Sequence, residues 1–415
     1  MKKMSKWNQY RVGDICSAIY SGGTPSTSNE EYWEGDFYWL SSGETANRYI
    51  SKTDKTITQK GVDNSSTKLA KSGTLVMACA GQGKTRGQAS ILKCDTYINQ
   101  SIIAMVGKHE LLDTTFLFYN MLLRYDELRM RSDASSTRGS ITTDMLKKLP
   151  ISVPDLPTQK RIAEILSAYD DLIENNNRRI ALLEKAAQEL YKEWFVRFRF
   201  PGYENAKFEN GLPEGWEYIR FGNAIEIIDG DRGVNYPKQE EFYEEGECLF
   251  LNAGNVTKNG FDFSSCAYIT KEKDQLLRKG KLQTGDVVLT TRGTVGNVAF
   301  LNETMTFSPM RINSGMVILR NLGVVSPEYI YTALRHESLQ KAMMMYASGS
   351  AQPQLPIKDM RRIKIIKADA QTMDKFTKYV ADIYKQVSLM IIKNQAISKQ
   401  RDLLLPRLMS GKLEV

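Results

Sequence analysis

At 415 residues, 42% hydrophobic and 25% charged, the sequence is long enough for two or three domains and too apolar for wholesale disorder. The net charge of +8 is compatible with a polyanionic partner, and no apolar run approaches the roughly 18–20 residues of a membrane span. Five cysteines without a Cys-x-x-Cys pair argue against a zinc site or disulfide framework; with no apolar run after the charged start Met1–Lys6, the expected setting is a reducing cytoplasm.

Residues 1–157 read as an α/β region rich in Gly, Ser, Thr and aromatics, with short strands such as Leu75-Val76-Met77-Ala78 between turn signals. Residues 158–200 read as a long helix. Residues 201–370 then repeat the first region, and residues 371–415 repeat the helix. Trp7-Asn8-Gln9-Tyr10-Arg11-Val12-Gly13 returns as Trp216-Glu217-Tyr218-Ile219-Arg220-Phe221-Gly222, and Gly35 through Gly43 returns as Gly246 through Gly254. Ser72-Gly73-Thr74-Leu75-Val76 returns as Thr284-Gly285-Asp286-Val287-Val288, and Ile98-Asn99-Gln100-Ser101 as Ile312-Asn313-Ser314-Gly315. The spacing climbs steadily, as small loop insertions produce and chance matches do not. Charge is uneven between the copies. Residues 1–157 carry 20 basic and 16 acidic side chains, residues 201–370 carry 20 and 21, so a polyanion on the second region needs a local patch.

The two helical segments, each expected to cover about 33 residues, carry a seven-residue period, the signature of a coiled-coil seam. In the first, Ile162, Tyr169, Asn176, Leu183 and Leu190 form one row and Leu166, Ile173, Ile180, Ala187 and Trp194 another. In the second the rows are Phe376, Ile383, Met390, Ile397, Leu404 and Val380, Val387, Asn394, Arg401, Leu408. The shared phase predicts that the helices pack on each other, antiparallel, with Asn176 and Asn394 able to fix register. The fold class is α/β: two tandem α/β domains separated by two long antiparallel coiled-coil helices in a pseudo-two-fold duplicated architecture.

Catalytic chemistry is missing from this reading. His109 and His336 occupy similar places in the two copies, form no metal spacing, and read as surface residues. No Asn/Asp-Pro-Pro-aromatic methyltransferase motif and no Glu-x-Lys nuclease triplet occurs. Ala78-Cys79-Ala80-Gly81-Gln82-Gly83-Lys84-Thr85 looks like a degenerate P-loop, but the residues that follow turn and return as a strand instead of opening a helix. No catalytic residue, metal site or cofactor is assigned to this chain.

The chain resembles the DNA-specificity subunits of type I restriction–modification systems. The carriers are Ser21-Gly22-Gly23-Thr24-Pro25-Ser26, Tyr32-Trp33 through Trp39-Leu40-Ser41-Ser42-Gly43, and Leu156-Pro157-Thr158-Gln159-Lys160-Arg161-Ile162. To these add Leu190 through Phe198 and Arg401 through Leu413. The resemblance spans nearly the whole chain. Two departures stand out: the Leu212-Pro213 lead into Trp216 is reduced to Trp7 in the first copy, and Asp229-Gly230-Asp231-Arg232-Gly233 stands where the first copy has Gly-Gly-Thr-Pro. The resemblance implies a non-catalytic subunit whose two target recognition domains read the halves of a bipartite double-stranded DNA site. It implies two modification subunits that use S-adenosylmethionine, and restriction subunits that use ATP and Mg. Other readings are a helical scaffold with no DNA role, or a nucleotide hydrolase using residues 78–85.

Arg, Asn and Gln distinguish base edges by bidentate contacts, while Lys, Ser and Thr more often hold phosphates. Candidate DNA contacts in the first domain are Ser41, Ser42, Gln82, Lys84, Arg86, Gln88, Ser135, Thr137 and Arg138. In the second they are Arg232, Asn235, Thr291, Arg292, Asn297 and Gln352. Lys271, Lys273, Arg278, Lys279 and Lys281 form a basic run that fits either a solvated helix face or a phosphate clamp.

Overall fold

The computed structural model describes residues 7–81, 83–135, 139–305, 309–349 and 353–415. The chain forms two compact units, residues 1–172 with 397–415, and residues 173–396.

In the first unit, strand Asn8–Arg11 pairs antiparallel with Pro150–Val153, closing the ends of the α/β region on each other. A five-stranded sheet runs in the order Cys16–Ser21, Ile102–Gly107, Leu75–Ala78, Ala89–Leu92, Tyr49–Ile50. A four-stranded sheet runs Lys55–Ile57, Trp33–Leu40, Thr96–Ile98, Lys68–Ala70, with its central pair parallel. Strand Leu75–Ala78 is buried on both faces, and its side chains alternate between two cores. Leu75 and Met77 join the core around Phe116, Leu117 and Phe118 of helix Thr114–Leu123. Val76 joins a smaller core with Leu40, Leu92 and Ile98.

The second unit repeats this plan. Strand Glu217–Arg220 pairs with Lys364–Lys367. A four-stranded sheet runs Ile225–Asp229, Met316–Asn321, Val287–Thr290, Val298–Phe300, and a three-stranded one runs Tyr268–Ile269, Cys248–Leu251, Met310–Ile312. Val287 and Leu289 enter one core and Val288 the other. Both copies enter the central strand through a four-residue turn, closed by Thr74 N–H to Lys71 O at 3.1 Å and by Asp286 N–H to Gln283 O at 3.0 Å. The third residue of each turn has positive φ, +86° at Gly73 and +92° at Gly285, and glycine tolerates this without strain.

The long helices are Leu156–Tyr191 and Ala370–Met409, 36 and 40 residues, so both exceed the expected length. An aspartate caps each start: Asp155 accepts from Thr158 N–H at 2.8 Å and Asp369 from Thr372 N–H at 2.9 Å. The first helix closes in a π turn, Lys192–Val196, which buries Trp194 and Phe195 instead of continuing to residue 200. Phe195 packs on Phe376 and Trp216, at ring-centre distances of 4.9 and 5.6 Å, which accounts for the aromatic run Trp194–Phe198.

Both helices contribute to both units, running antiparallel in each. In the first unit Ile162, Ala163 and Leu166 share a core with Leu405, Leu408 and Met409. In the second Ile180 packs with Val387 and Met390, and Phe376 and Val380 are fully buried beside Ala187 and Trp194. Ile397 is buried in the first unit. Tyr169, Ile173, Leu183, Leu190, Ile383 and Leu404 are half-buried and flank these rows. Asn176 sits at the interface with its amide donating to Asn394 Oδ1 at 2.7 Å, while the Asn394 amide donates to Asn177 at 2.9 Å.

Two buried carboxylates on the first long helix interrupt its apolar face. Asp170 pairs with Arg401 and accepts from Tyr119 OH at 2.6 Å, so burial and then Asp170 push the Tyr119 hydroxyl pKa up. Glu184 is gripped by Arg335 through both oxygens, at 2.5 and 2.7 Å. Burial works against the Arg335 charge, but Tyr331 and Glu184 outweigh it and hold its pKa above the ordinary value. Neither carboxylate is visible in the heptad pattern, because acids on long helices normally face solvent.

Candidate nucleic-acid interface

At the end of the central sheet in each unit, four loops meet, and the same backbone bonds join them in both. In the first unit Cys79 N–H donates to Ser101 O at 2.8 Å, and Ile141 N–H donates to Cys79 O at 2.9 Å. In the second, Thr291 N–H donates to Gly315 O and Leu355 N–H to Thr291 O, both at 2.9 Å. One residue just past the central strand therefore holds two other loops by its own peptide groups. The fourth loop arrives through a glycine. A Cβ on Gly22 would lie 1.8 Å from Ile98 O, and one on Gly230 would lie 2.2 Å from Asn313 O. The Gly-Gly-Thr-Pro and Asp-Gly-Asp-Arg-Gly segments thus share the glycine that a close backbone approach demands.

The hairpin after the central strand closes alike in both copies. Gly87 N–H donates to Ala78 O at 2.8 Å, and Gly296 N–H donates to Thr290 O at 3.0 Å. Strand Leu75–Ala78 returns antiparallel as strand Ala89–Leu92, so among the described residues the P-loop-like stretch leads into a strand and not into a helix N-terminus that could hold a phosphate.

The fastening of these hairpins differs. In the first unit one face of helix Tyr125–Ser135 holds the loop. Tyr125 OH donates to Lys84 O at 2.7 Å, Arg129 donates to Arg86 O at 3.1 Å, and Asp133 pairs with the Arg86 guanidinium. In the second unit a shorter loop is held by Gln340, whose amide donates to Gly296 O at 2.8 Å. Arg292 is half-buried with Nε unpartnered among the described residues, and its backbone bridges to Gln354.

Several of the expected contact residues are also engaged within the fold. Arg86 is 6% exposed and turned inward against Asp133, where it braces the hairpin. Thr291 is buried, its hydroxyl donating to Gly315 O at 3.1 Å. The Asn297 amide is engaged by Val256 O at 2.9 Å and the Asn235 amide by Leu276 O at 3.2 Å. Ser41 donates to Glu44 at 3.1 Å in a capping box, and the Ser42 carbonyl accepts from Thr45. Small polar side chains near turns serve both to build a loop and to project from it, and the sequence does not separate the two uses. Lys84 is exposed at the hairpin tip, and Gln88 is half-buried. Arg232 is exposed, donating to Asp229 and to Ser314 O, each at 3.2 Å. Gln82, Thr137, Arg138, Gln352 and the side chain of Ser135 lie outside the described residues.

The histidines also part ways. His109 is exposed, as expected. His336 is not a surface residue: it is 7% exposed, caps helix Glu337–Tyr346 and packs on the Tyr191 ring at 5.2 Å. Burial lowers its pKa below the ordinary histidine value.

Among the described residues no helix is long and apolar enough to cross a membrane. The family model described as "Type I restriction modification DNA specificity domain" matches twice, at residues 4–185 and 213–397. A type I restriction enzyme specificity subunit, MjaIX, from Methanocaldococcus jannaschii is 28% identical over 99% of this chain and 94% of its own. The HindI specificity subunit from Haemophilus influenzae is 22% identical over 99% of this chain and 100% of its own. Among solved structures, a type I restriction–modification S subunit from M. genitalium superposes with a TM-score of 0.57 at 17% identity, covering 98% of this chain and 97% of that one, which shows a shared fold. With both copies matched across most of its length, the chain belongs to the family of type I restriction–modification DNA specificity subunits.

Proposed function

We propose that this chain is the DNA-reading, non-catalytic subunit of a type I restriction–modification complex, with residues 1–157 and 201–370 each reading one half of a bipartite site. The observation that carries this reading is the duplicated four-loop frame. Each frame is built from backbone bonds, which frees side chains at the loop tips to meet base edges and phosphates. The long helices would recruit two methyltransferase subunits, which supply S-adenosylmethionine chemistry, and restriction subunits, which supply ATP-driven translocation. The cytoplasm, where chromosomal DNA and those partners are found, is the proposed location.

The test is to map methylated adenines in cells expressing the full system, then again after residues 1–157 are exchanged for those of a relative with a different target. One half of a two-part site should change while the other stays. A change in both halves, or a site with one continuous part, would refute one domain per half-site. A scaffold with no DNA role predicts no salt-dependent duplex binding at all.

A further inference from the structure

Residues 201–370 carry no net positive charge, so a phosphate backbone has to be met there by a local arrangement of cations. The basic run at 271–281 is not one uniform face. Lys273 is occupied by Glu241 at 2.8 Å, and Lys281 by Asp274 at 2.5 Å. Arg278 and Lys279 are exposed, and no carboxylate pairs with either among the described residues.

The turn that bears Arg278 and Lys279 is rigidly built. Beneath it lies Arg311, 5% exposed, whose guanidinium donates to Asp274 O, Leu277 O and Lys279 O at 2.7, 3.0 and 2.7 Å. From the side comes Asp231, on the tip of loop 229–236. One of its oxygens accepts from Gly233 N–H at 2.7 Å and the other from Arg278 N–H at 2.8 Å. These backbone donors, Gly233 first, hold the Asp231 carboxyl below its usual range. The same loop carries Arg232, and Gly280 approaches Gly230 so closely that an added Cβ would lie 3.2 Å from its Cα. Two segments 47 residues apart in sequence are thereby stapled together, presenting Arg278 and Lys279 from a preorganised backbone, with Arg232 beside them held by Asp229 at 3.2 Å.

We propose that Arg278 and Lys279, stapled by Asp231 and supported by Arg311, form a clamp for DNA phosphates flanking the half-site read by the second unit. The clamp rests on the DNA-reading function above. It positions the duplex against the four-loop frame and carries no base preference. Asp231 is a positioning residue, an acid whose two oxygens are engaged by backbone N–H groups inside a cationic surface.

The experiment uses the full chain assembled with its modification subunits and measures duplex affinity against salt. One duplex carries the mapped site and another is unrelated. Replacing Arg278 and Lys279 together by alanine should make the slope of log affinity against log salt shallower by about 1.8, from about 0.9 for each phosphate contact. At 0.1 M salt this is roughly a ten- to hundredfold loss, equal for both duplexes. Asp231→Asn supplies an opposite-sign test. If Asp231 merely repelled DNA, its neutralisation would tighten binding. As a staple, its replacement weakens binding, because the amide offers one acceptor where the Gly233 and Arg278 N–H groups need two. Should Asp231→Asn unfold, the double variant decides alone, since both of its side chains are exposed. Unchanged slopes, or a loss confined to the mapped site, would overturn the clamp and leave the functional reading standing. A wild-type assembly that binds no duplex would overturn both.

Discussion

The two units share their backbone and differ in what ties it down. Cys79 and Thr291 anchor neighbouring loops by the same pair of peptide bonds, and Gly22 and Gly230 make the same close approach. Yet the first hairpin is locked by Tyr125, Arg129 and Asp133, whereas the second is held by Gln340. The buried carboxylates diverge too. Asp170 is answered by Arg401 from the other long helix, and Glu184 by Arg335 from the α/β region. Duplication preserved the main-chain scheme, and each copy then acquired its own side-chain fasteners.

The strongest way to break this comparison is to remove those fasteners. Arg335→Met leaves Glu184 buried without its cation and should cost about 3–5 kcal/mol, as uncompensated buried charges do. Arg401→Met leaves Asp170 the Arg48 guanidinium, 4.0 Å away, and should cost less, about 2–3 kcal/mol. Denaturant unfolding of the whole chain measures this, and a loss under about 1 kcal/mol in either variant would show that the carboxylate finds water or takes up a proton without penalty.

The helix pair offers the next contrast, a neutral Asn–Asn contact in the second unit against the ion pair in the first. Asn176→Leu alone leaves Asn394 facing an apolar neighbour and should cost about 1–3 kcal/mol, while the double change to leucine should recover most of it. Equal losses for the single and double variants would show that the amides do not act as a pair.

The hairpins sharpen the comparison at the site. Arg86→Ala removes a buried strut and should cost about 1–2 kcal/mol, with faster amide exchange at residues 83–88. Arg292→Ala, at a half-buried side chain with an unpartnered Nε, should barely change stability and should instead weaken DNA binding. Reversed outcomes would exchange the two roles.

The smallest expected effect separates the histidines. Burial depresses the His336 pKa, so its contribution to stability is complete above its unfolded value near 6.5 and fades as the pH falls through the lower folded value. His336→Asn keeps a capping side chain and should flatten the stability profile below pH 6.5, whereas His109→Asn should leave it unchanged. Parallel profiles for the wild type and His336→Asn would remove His336 from the account.

Much of the architecture was legible because it rests on pattern. The repeat, the turn glycines Gly73 and Gly285, and the two apolar helix rows are periodic or punctuated features of the sequence. What stayed hidden depends on tertiary pairing. Asp170 and Glu184 read as solvated acids until Arg401 and Arg335 are brought to them. The inward turn of Arg86 stayed hidden because its partner Asp133 lies 47 positions away. The loop frame is made of peptide groups, which every residue has, so it leaves no mark except a glycine where Cβ does not fit. His336 was missed because a capping role shows only when the helix after it is known.

That peptide-built frame also bears on how such a protein changes over generations. Because the bonds common to Cys79 and Thr291 run through N–H and C=O, a cysteine in one copy and a threonine in the other hold the same frame, the Thr291 hydroxyl adding a further bond to Gly315 O. Substitutions at the loop tips therefore accumulate without dismantling the scaffold that displays them. A lineage carrying such a chain can vary the projecting side chains freely, while selection on folding falls mainly on the buried glycines and the fasteners.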